Sequence, residues 1–253
     1  RKYFETDTLF LAADTLISRD SESDTARYLL AFHQVKLVKS DLSGRADSLV
    51  YQFSDSTIHL YNDPVLWNRA SQISADSMSF FLVNENLDRV LMKNKAFAVL
   101  TDTLMNFNQM KGRRMTGYFN SGQLSKLEIT GNGESLYYAL EGDTLTQGIN
   151  RILSATITLS FDEGVVKKSN FGVRPDGKFI PVQDLDEKGS RLEGFRWRGE
   201  EKPIRKDMDS WRKVIEIDKE LKNLFEESPR IKNRMPPEEG LEREWVFQNS
   251  GVK

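Results

Sequence analysis

The sequence has no cysteine and only two histidines, His33 and His59. A chain without thiols has no disulfide framework, no thiol nucleophile and no Cys-ligated metal. The redox compartment stays open, because an oxidising compartment permits disulfides without requiring them. No apolar run approaches the roughly 18 residues that suggest a membrane-spanning helix. Neither charge is in clear excess: 36 Lys and Arg stand against 38 Asp and Glu, for a formal net charge of -2. That balance lacks the basic stripe that nucleic-acid binding uses, so no nucleic-acid partner is expected. What remains is a 253-residue chain, 38% hydrophobic and 29% charged, enough for a core beneath a heavily charged surface. It opens at Arg1 rather than Met and enters a strand-like pattern almost at once, which reads as a mature or truncated fragment.

A degenerate repeat organises most of the chain. Ala13-Asp14-Thr15-Leu16 recurs as Ala46-Asp47-Ser48-Leu49 and as Ala75-Asp76-Ser77-Met78. The aspartates lie 33 and 29 residues apart (47 − 14 and 76 − 47). Weaker copies follow at Gly112-Arg113-Arg114-Met115 and Ser154-Ala155-Thr156-Ile157, both without the Asp. Each copy opens a period-2 run, the mark of a strand with two different faces. The runs give Leu49, Tyr51 and Phe53; then Met78, Phe80 and Leu82; then Met115, Gly117 and Phe119; then Ile157, Leu159 and Phe161. Aligned on the motif, these residues form apolar columns, as stacked strands in register would. Turn chemistry follows each run at Ser54-Asp55-Ser56, Asn84-Glu85-Asn86, Asn120-Ser121-Gly122 and Asp162-Glu163-Gly164. Further punctuation comes at Asn62-Asp63-Pro64 and at Gly131-Asn132-Gly133, the latter read as a hairpin turn. Each of about five units is then two to three short strands that bury their apolar face only by stacking.

The pattern divides the chain into stacked strands over 1–182, a charged, Gly-containing linker or wrapping segment over 183–206, a helix over 207–228 and an extended tail over 229–253. The aromatics of the second region, Phe195 and Trp197, are expected to dock on the β-body. In the third, Trp211, Val214, Ile217, Leu221 and Leu224 recur at helical spacing behind a plausible N-cap, Asp207, and Ser228-Pro229 ends the run. The fold class is therefore all-β, repeat-built from stacked antiparallel strands, with a C-terminal α-helix and tail.

Little here carries chemistry. His59 alternates with Ile58 and Leu60 and so points to the face opposite them. Gly131-Asn132-Gly133 is not a phosphate loop, because no helical pattern follows it. The ladder of Asp14, Asp47 and Asp76 is the most enzyme-like feature, offering calcium ligands or acid–base pairs in principle. Its loss in the later copies favours a structural ladder that hydrogen-bonds turn amides of the neighbouring repeat. No catalytic residue, metal or cofactor is expected, and the protein reads as a non-enzyme. The apolar columns admit two readings: a closed core filled by its own side chains, or two splayed sheets lining an acyl-chain groove. The methionines Met78, Met92, Met105, Met110 and Met115 suit the adaptable lining of such a groove.

Gly44-Arg45-Ala46-Asp47-Ser48-Leu49-Val50-Tyr51, followed by Asp55-Ser56-Thr57-Ile58-His59-Leu60-Tyr61-Asn62-Asp63-Pro64-Val65-Leu66-Trp67, resembles the OstA/LptA-type family of lipopolysaccharide transport in Gram-negative bacteria. The larger OstA-like proteins of Bacteroidetes are the best match. Met115-Thr116-Gly117-Tyr118-Phe119, Pro175-Asp176-Gly177-Lys178-Phe179-Ile180-Pro181 and Leu192-Glu193-Gly194-Phe195-Arg196-Trp197-Arg198 fit that branch, and the resemblance runs over residues 8–205. It implies a β-jellyroll, also described as a V-shaped β-taco, in the periplasm. Such units join end to end through edge strands and carry lipopolysaccharide acyl chains toward the outer membrane. The lipid-facing residues implied are Leu49, Tyr51, Phe53, Met78, Phe80, Leu82, Met115, Phe119, Ile157, Leu159 and Phe161. The partners implied are lipopolysaccharide, other jellyroll-type transport proteins, further copies of the chain and, through the region after residue 206, the outer-membrane translocon. The competing expectation is an envelope scaffold with a closed β core, assembling through its edge strands and C-terminal helix.

Overall fold

Alternating apolar and polar residues, interrupted by residues that tolerate left-handed backbone, fold into one fourteen-stranded antiparallel sheet. A computed structural model describes residues 8–19, 27–84, 86–142, 144–163 and 165–208. The strands are β1 (Phe10–Ala12), β2 (Thr15–Arg19), β3 (Tyr28–Val38), β4 (Leu42–Gln52), β5 (Thr57–Tyr61), β6 (Val65–Asn68) and β7 (Ser71–Ser74). They continue as β8 (Ser77–Val83), β9 (Asn86–Thr101), β10 (Phe107–Asn120), β11 (Gln123–Glu141), β12 (Leu145–Asp162), β13 (Val165–Gly172) and β14 (Asp176–Pro181).

The sheet doubles back because long strands change partner midway. β3 pairs with β2 over residues 28–32 and with β1 over 36–38. β4 pairs with β6 over 42–45 and with β5 over 48–52. β9 pairs with β8 over 86–93 and with β7 over 97–100. β12 pairs with β14 over 148–153 and with β13 over 156–162. Two walls result. The front wall runs β2, β3, β4, β5, β8, β9, β10, β11, β12, β13, and the back wall β1, β3, β4, β6, β7, β9, β10, β11, β12, β14. The fold is a repeat-built β-jellyroll.

The fold line between the walls has a defined construction. Pairs of consecutive left-handed residues occur at His33 and Gln34, Asn62 and Asp63, Asn94 and Lys95, Gly131 and Asn132, and Val173 and Arg174. Each stands against one residue of a neighbouring strand. Phe32 pairs with Ser48 and Val35 with Ala46, so His33 and Gln34 oppose Asp47 alone. Likewise Asn94 and Lys95 oppose Arg113, and Gly131 and Asn132 oppose Ala155. A two-against-one bulge bends its strand and increases the local twist. Repeated along the stack, it creases the whole sheet. The recurring Ala-Asp motif and its degenerate copies thus mark the single-residue side of the crease.

Two expectations change here. Gly131-Asn132-Gly133 lies inside the nineteen-residue β11 and carries the chain from one wall to the other; it is no hairpin turn. Asn62-Asp63-Pro64 does the same between β5 and β6. A local turn signal reports left-handed backbone but not whether the chain reverses. The aspartate ladder lies along this crease. The Asp47 carboxylate accepts hydrogen bonds from Asn62 Nδ2 at 3.0 Å and the Ser48 hydroxyl at 3.1 Å, and sits 3.5 Å from His33 Nδ1. Asp76 lies 3.2 Å from Lys95 Nζ. Apart from the adjacent Ser48 hydroxyl, the partners are side chains of the left-handed pairs rather than turn amides.

Residues 182–204 run as a strap across the outer face of the back wall, with short 3-10 turns at Val182–Asp184 and Gly199–Glu201. Two buried glutamines hold it. Gln109 donates to the Ser190 carbonyl at 2.9 Å and accepts from the Leu192 N–H at 2.8 Å. Gln72 donates to the Arg196 carbonyl at 2.6 Å and accepts from the Arg198 N–H at 2.7 Å. Each side-chain amide thus pairs with a carbonyl and an N–H two residues apart, much as a neighbouring strand would. Leu192 packs among Phe97, Val99, Leu136, Tyr138 and Ile149. The Phe195 and Trp197 rings each lie 5.3 Å from Phe107. At the strap's end the buried Arg198 guanidinium reaches Asp63 at 2.8 Å and Glu201 at 2.6 Å, and Arg45 reaches Glu201 at 2.7 Å. A helical turn, Arg205–Met208, follows, with Met208 against Ala12 and Val38. The rest of the helix expected over 207–228, and the tail expected over 229–253, lie outside the described residues.

Gly131 has φ +79°, and a Cβ there would meet Arg113 Cβ at 2.7 Å. Gly131→Ala is expected to destabilise the protein by about 1–3 kcal/mol in urea unfolding, combining left-handed strain with a backbone-side clash. Hydrogen bonding to Arg198 holds the Glu201 carboxyl below the ordinary glutamate range, aided by Arg45 and Arg196. A carboxyl depressed in the folded state contributes stability above its unfolded pKa and loses that contribution as pH falls through the lowered value. The unfolding temperature should therefore drop on acidification through and below the ordinary glutamate range, and Glu201→Gln should flatten that part of the pH profile.

Candidate apolar trough

The inner faces of the two walls are built from cross-strand columns. On the front wall, nearest the crease, Leu16, Ala31, Leu49, Leu60, Met78, Met92, Met115, Ile129, Ile157 and Phe171 are successive partners across ten strands. The eight between the two edge strands are 0–3% exposed. One step outward come Leu29, Tyr51, Ile58, Phe80, Val90, Gly117, Leu127 and Leu159. Neither column carries a charged side chain. Burial falls away from the crease: Met115 and Ile129 are fully enclosed, whereas Tyr51, Phe80 and Phe119 are half-buried.

The back wall faces these columns. Val35, Leu37, Leu66, Ala96 and Ala98 belong to the same packed cluster as the front-wall residues. Beside the crease the back wall is small, and the front wall fills the space: a Cβ on Gly112 would meet Ile129 Cγ2 at 2.5 Å, and one on Gly133 would meet Ile157 Cγ1 at 3.1 Å. Farther out, the inner face changes character. Leu100, Tyr137 and Phe179 point inward, since their neighbours Val99, Tyr138 and Ile180 belong to the outer, strap-covered cluster. Yet they are 48%, 58% and 48% exposed. The trough is packed at its base and open to solvent toward the rim.

Charge is kept to the outside. Glu134 bridges Lys111 at 2.9 Å and Arg151 at 3.3 Å beneath the strap. On the outer front wall the Tyr118 hydroxyl donates to Glu128 at 2.9 Å, and Lys126 holds the Glu128 carboxyl below its usual range. His59 also points outward, 2.9 Å from the Ser79 hydroxyl. Among the described residues no cluster of His, Asp and Glu is arranged to hold a metal ion.

Of the residues expected to line a groove, Leu49, Met78, Met115, Ile157 and Leu159 are buried in the cluster, and Tyr51, Phe80, Phe119 and Phe161 pack against it. Phe53 and Leu82 lie at the rim. The Phe53 ring is 4.2 Å from Tyr51 beneath the Arg27 guanidinium, and Leu82 pairs with Leu87 past a register shift. Val90, Leu127 and Ile129 also line the interior but were not expected from the sequence, although their period-2 spacing is present in the return strands. It also missed the back wall. There Ala96-Phe97-Ala98-Val99 is apolar on both faces, because the strap buries the outer one, so no alternation is visible.

Fold and trough together define a creased, stacked-strand jellyroll with an apolar interior. Residues 5–86 match the family described as "LptA/(LptD N-terminal domain) LPS transport protein", and that part of the chain is of the OstA/LptA type. No curated protein matches the sequence. Among solved structures the chain is similar to LptH of Pseudomonas aeruginosa, described as the LptA-homologous periplasmic component of the lipopolysaccharide transport device. The likeness is 11% in identity with a TM-score of 0.42, covering 55% of this chain and 93% of that one.

The Gly112–Ile129 contact couples the walls. Gly112→Ala is expected to cost about 1–3 kcal/mol through overpacking. Combined with Ile129→Ala, which makes room for the new methyl, the loss should fall short of the sum, as a double-mutant cycle in urea would reveal.

Proposed function

We propose that this chain is a periplasmic component of lipopolysaccharide transport whose trough shields acyl chains on their way to the outer membrane. The observation that carries this reading is the inner face itself. It holds uncharged apolar columns at depth and apolar side chains that remain exposed near the rim, in a chain whose residues 5–86 match a lipopolysaccharide-transport family. Acyl chains bind by buried area, at about 0.8 kcal/mol per CH₂, so such a site needs a continuous apolar surface rather than a catalytic constellation. No chemical step belongs to this function.

Of the expected lining, Leu49, Met78, Met115 and Ile157 form the packed base, and Tyr51, Phe80, Phe119, Leu159 and Phe161 stand above it, with Phe53 and Leu82 at the rim. Assembly proceeds through the sheet ends. Among the described residues, β1 and β2 at one end and β13 and β14 at the other pair on one side only, leaving edges that invite a further strand. Other jellyroll-type transport proteins, or a second copy of this chain, are the partners that fit. The region after residue 206 extends past the stretch that resembles a bridge unit, and the strap carries the Leu192–Arg198 motif of the larger branch. They support a place among the larger OstA-like proteins of Bacteroidetes, with a contact to the outer-membrane translocon.

Photo-crosslinking side chains at Phe119 and Phe161 should capture lipopolysaccharide in cells, whereas the outward positions Gln52 and Lys126 should not. Capture confined to the outward positions would overturn the assignment. No capture at any position, with edge-to-edge assembly intact, would favour the closed scaffold, to which the tightly packed column at the crease lends support.

A further inference from the structure

The trough is not uniform along its length. The left-handed pairs at the crease begin at residues 33, 62, 94, 131 and 173, so successive spacings are 29, 32, 37 and 42 residues (62 − 33, 94 − 62, 131 − 94 and 173 − 131). The rungs lengthen toward the C-terminal end, and the back wall takes up most of the gain. At the N-terminal end its segments are short: β6 and β7 have four residues each. At the other end β11 contributes residues 133–141 and β12 residues 145–153. At about 3.3 Å per residue, the back wall rises from roughly 13 Å to roughly 30 Å.

Exposure follows depth. Leu37, Gly44 and Leu66, on the inner back wall of the shallow half, are buried. The same cross-strand row, followed into the tall half, is only partly buried at Met110 and Ile152 and is exposed at Gly177, and the row beyond it is exposed at Tyr137 and Phe179. Near them the inner face is thinned by small residues: Ser135 stands one pair nearer the crease than Tyr137, and Gly177 one pair nearer than Phe179, with only Ile152 within 4 Å of a Cβ placed there. Tyr137, Asn150 and Phe179 are successive cross-strand partners. Neither the Tyr137 hydroxyl nor the Asn150 amide has a hydrogen-bond partner among the described residues, whereas the comparable Asn108 is satisfied by accepting from the Tyr138 N–H at 2.8 Å. An open apolar surface crossed by one row of unpaired donors is what a ligand with apolar chains and a polar linkage requires. Hydrocarbon packs on Phe179 and the tyrosine ring, and an amide or ester carbonyl accepts from Tyr137 and Asn150.

From this we infer that the acyl-chain site lies in the C-terminal half of the trough, between β9 and β14, and that Tyr137 and Asn150 bind the carbonyl linkage joining the chains to their polar head. The shallow N-terminal half is filled by its own side chains and serves as a packed foundation. This inference rests on the acyl-binding function proposed above and adds where the chains sit and what anchors them.

The test places photo-crosslinkers singly in the full chain at Tyr51 and Ile73, in the shallow half, and at Phe119 and Phe179, in the deep half. Purified lipopolysaccharide is the probe in vitro. Capture is expected at Phe119 and Phe179 and only weakly at Tyr51 and Ile73. Hydrogen exchange of the unlabelled protein should slow in residues 133–153 on adding lipopolysaccharide, with 42–74 unchanged. The double variant Tyr137→Phe, Asn150→Leu should keep the wild-type unfolding midpoint and weaken binding by about tenfold, the loss of two hydrogen bonds. Equal capture and protection in both halves would overturn the site's location, and undiminished binding by the double variant would overturn the role of its polar row. Absence of capture and protection everywhere would instead sink the acyl-binding function itself.

Discussion

A β-strand that serves two walls must bend without giving up its hydrogen bonds. In this chain the bend comes from setting two left-handed residues against one. Left-handed backbone is costly for most L-residues, and Asn, Asp, His and Gly bear it best. Asn62, Asp63, Asn94, Gly131 and Asn132 occupy such positions. Because the bulge recurs on alternate rungs and neighbours are in register, the local bends align into one crease. The packed column beside it, the opposing walls and the widening trough all depend on that alignment. Asp47 and Asp76 close the crease from outside by engaging side chains of the adjacent left-handed pairs.

The two walls are stabilised differently. The front wall leaves its outer face to solvent and shows plain alternation, with Tyr118, Lys126 and Glu128 outside and Leu127 and Ile129 within. The back wall is covered on its outer face by the strap, so its central strands are apolar on both sides. Covering a sheet face with an irregular segment leaves backbone groups that need partners, since an unpaired buried group costs on the order of 1–3 kcal/mol. Gln72 and Gln109 meet that need by pairing with strap backbone at two points each. The strap in turn stiffens the tall part of the back wall, where long strands would otherwise stand with one face unsupported.

This division of labour bears on function. A trough that holds a flexible guest needs one firm boundary and one accommodating one. The crease supplies the firm boundary through residues that are almost wholly enclosed. The rim of the tall back wall supplies the other, with Leu100, Tyr137 and Phe179 exposed inside. The edges at both ends of the sheet, unpaired among the described residues, make the same architecture extensible. Under the proposed function, such stacked rungs would form one segment of a longer conduit.

Much of this was legible in the amino-acid sequence. The Ala-Asp repeat and the period-2 columns determined stacked strands with an apolar interior, because alternation in a strand is a local property of consecutive residues. Nine of the eleven residues named for the interior either lie in the packed cluster or pack against it. What tertiary structure alone decided was the meaning of the turn signals and the second lining. Gly131-Asn132 has the same local chemistry whether the chain reverses or creases, and only the partners of β11 tell the two apart. The back wall was hidden because the strap, distant in sequence, removes the polar face that alternation requires. The depth of the trough was likewise out of reach: motif spacing grows along the sequence, but only wall-to-wall pairing turns added residues into height on one side.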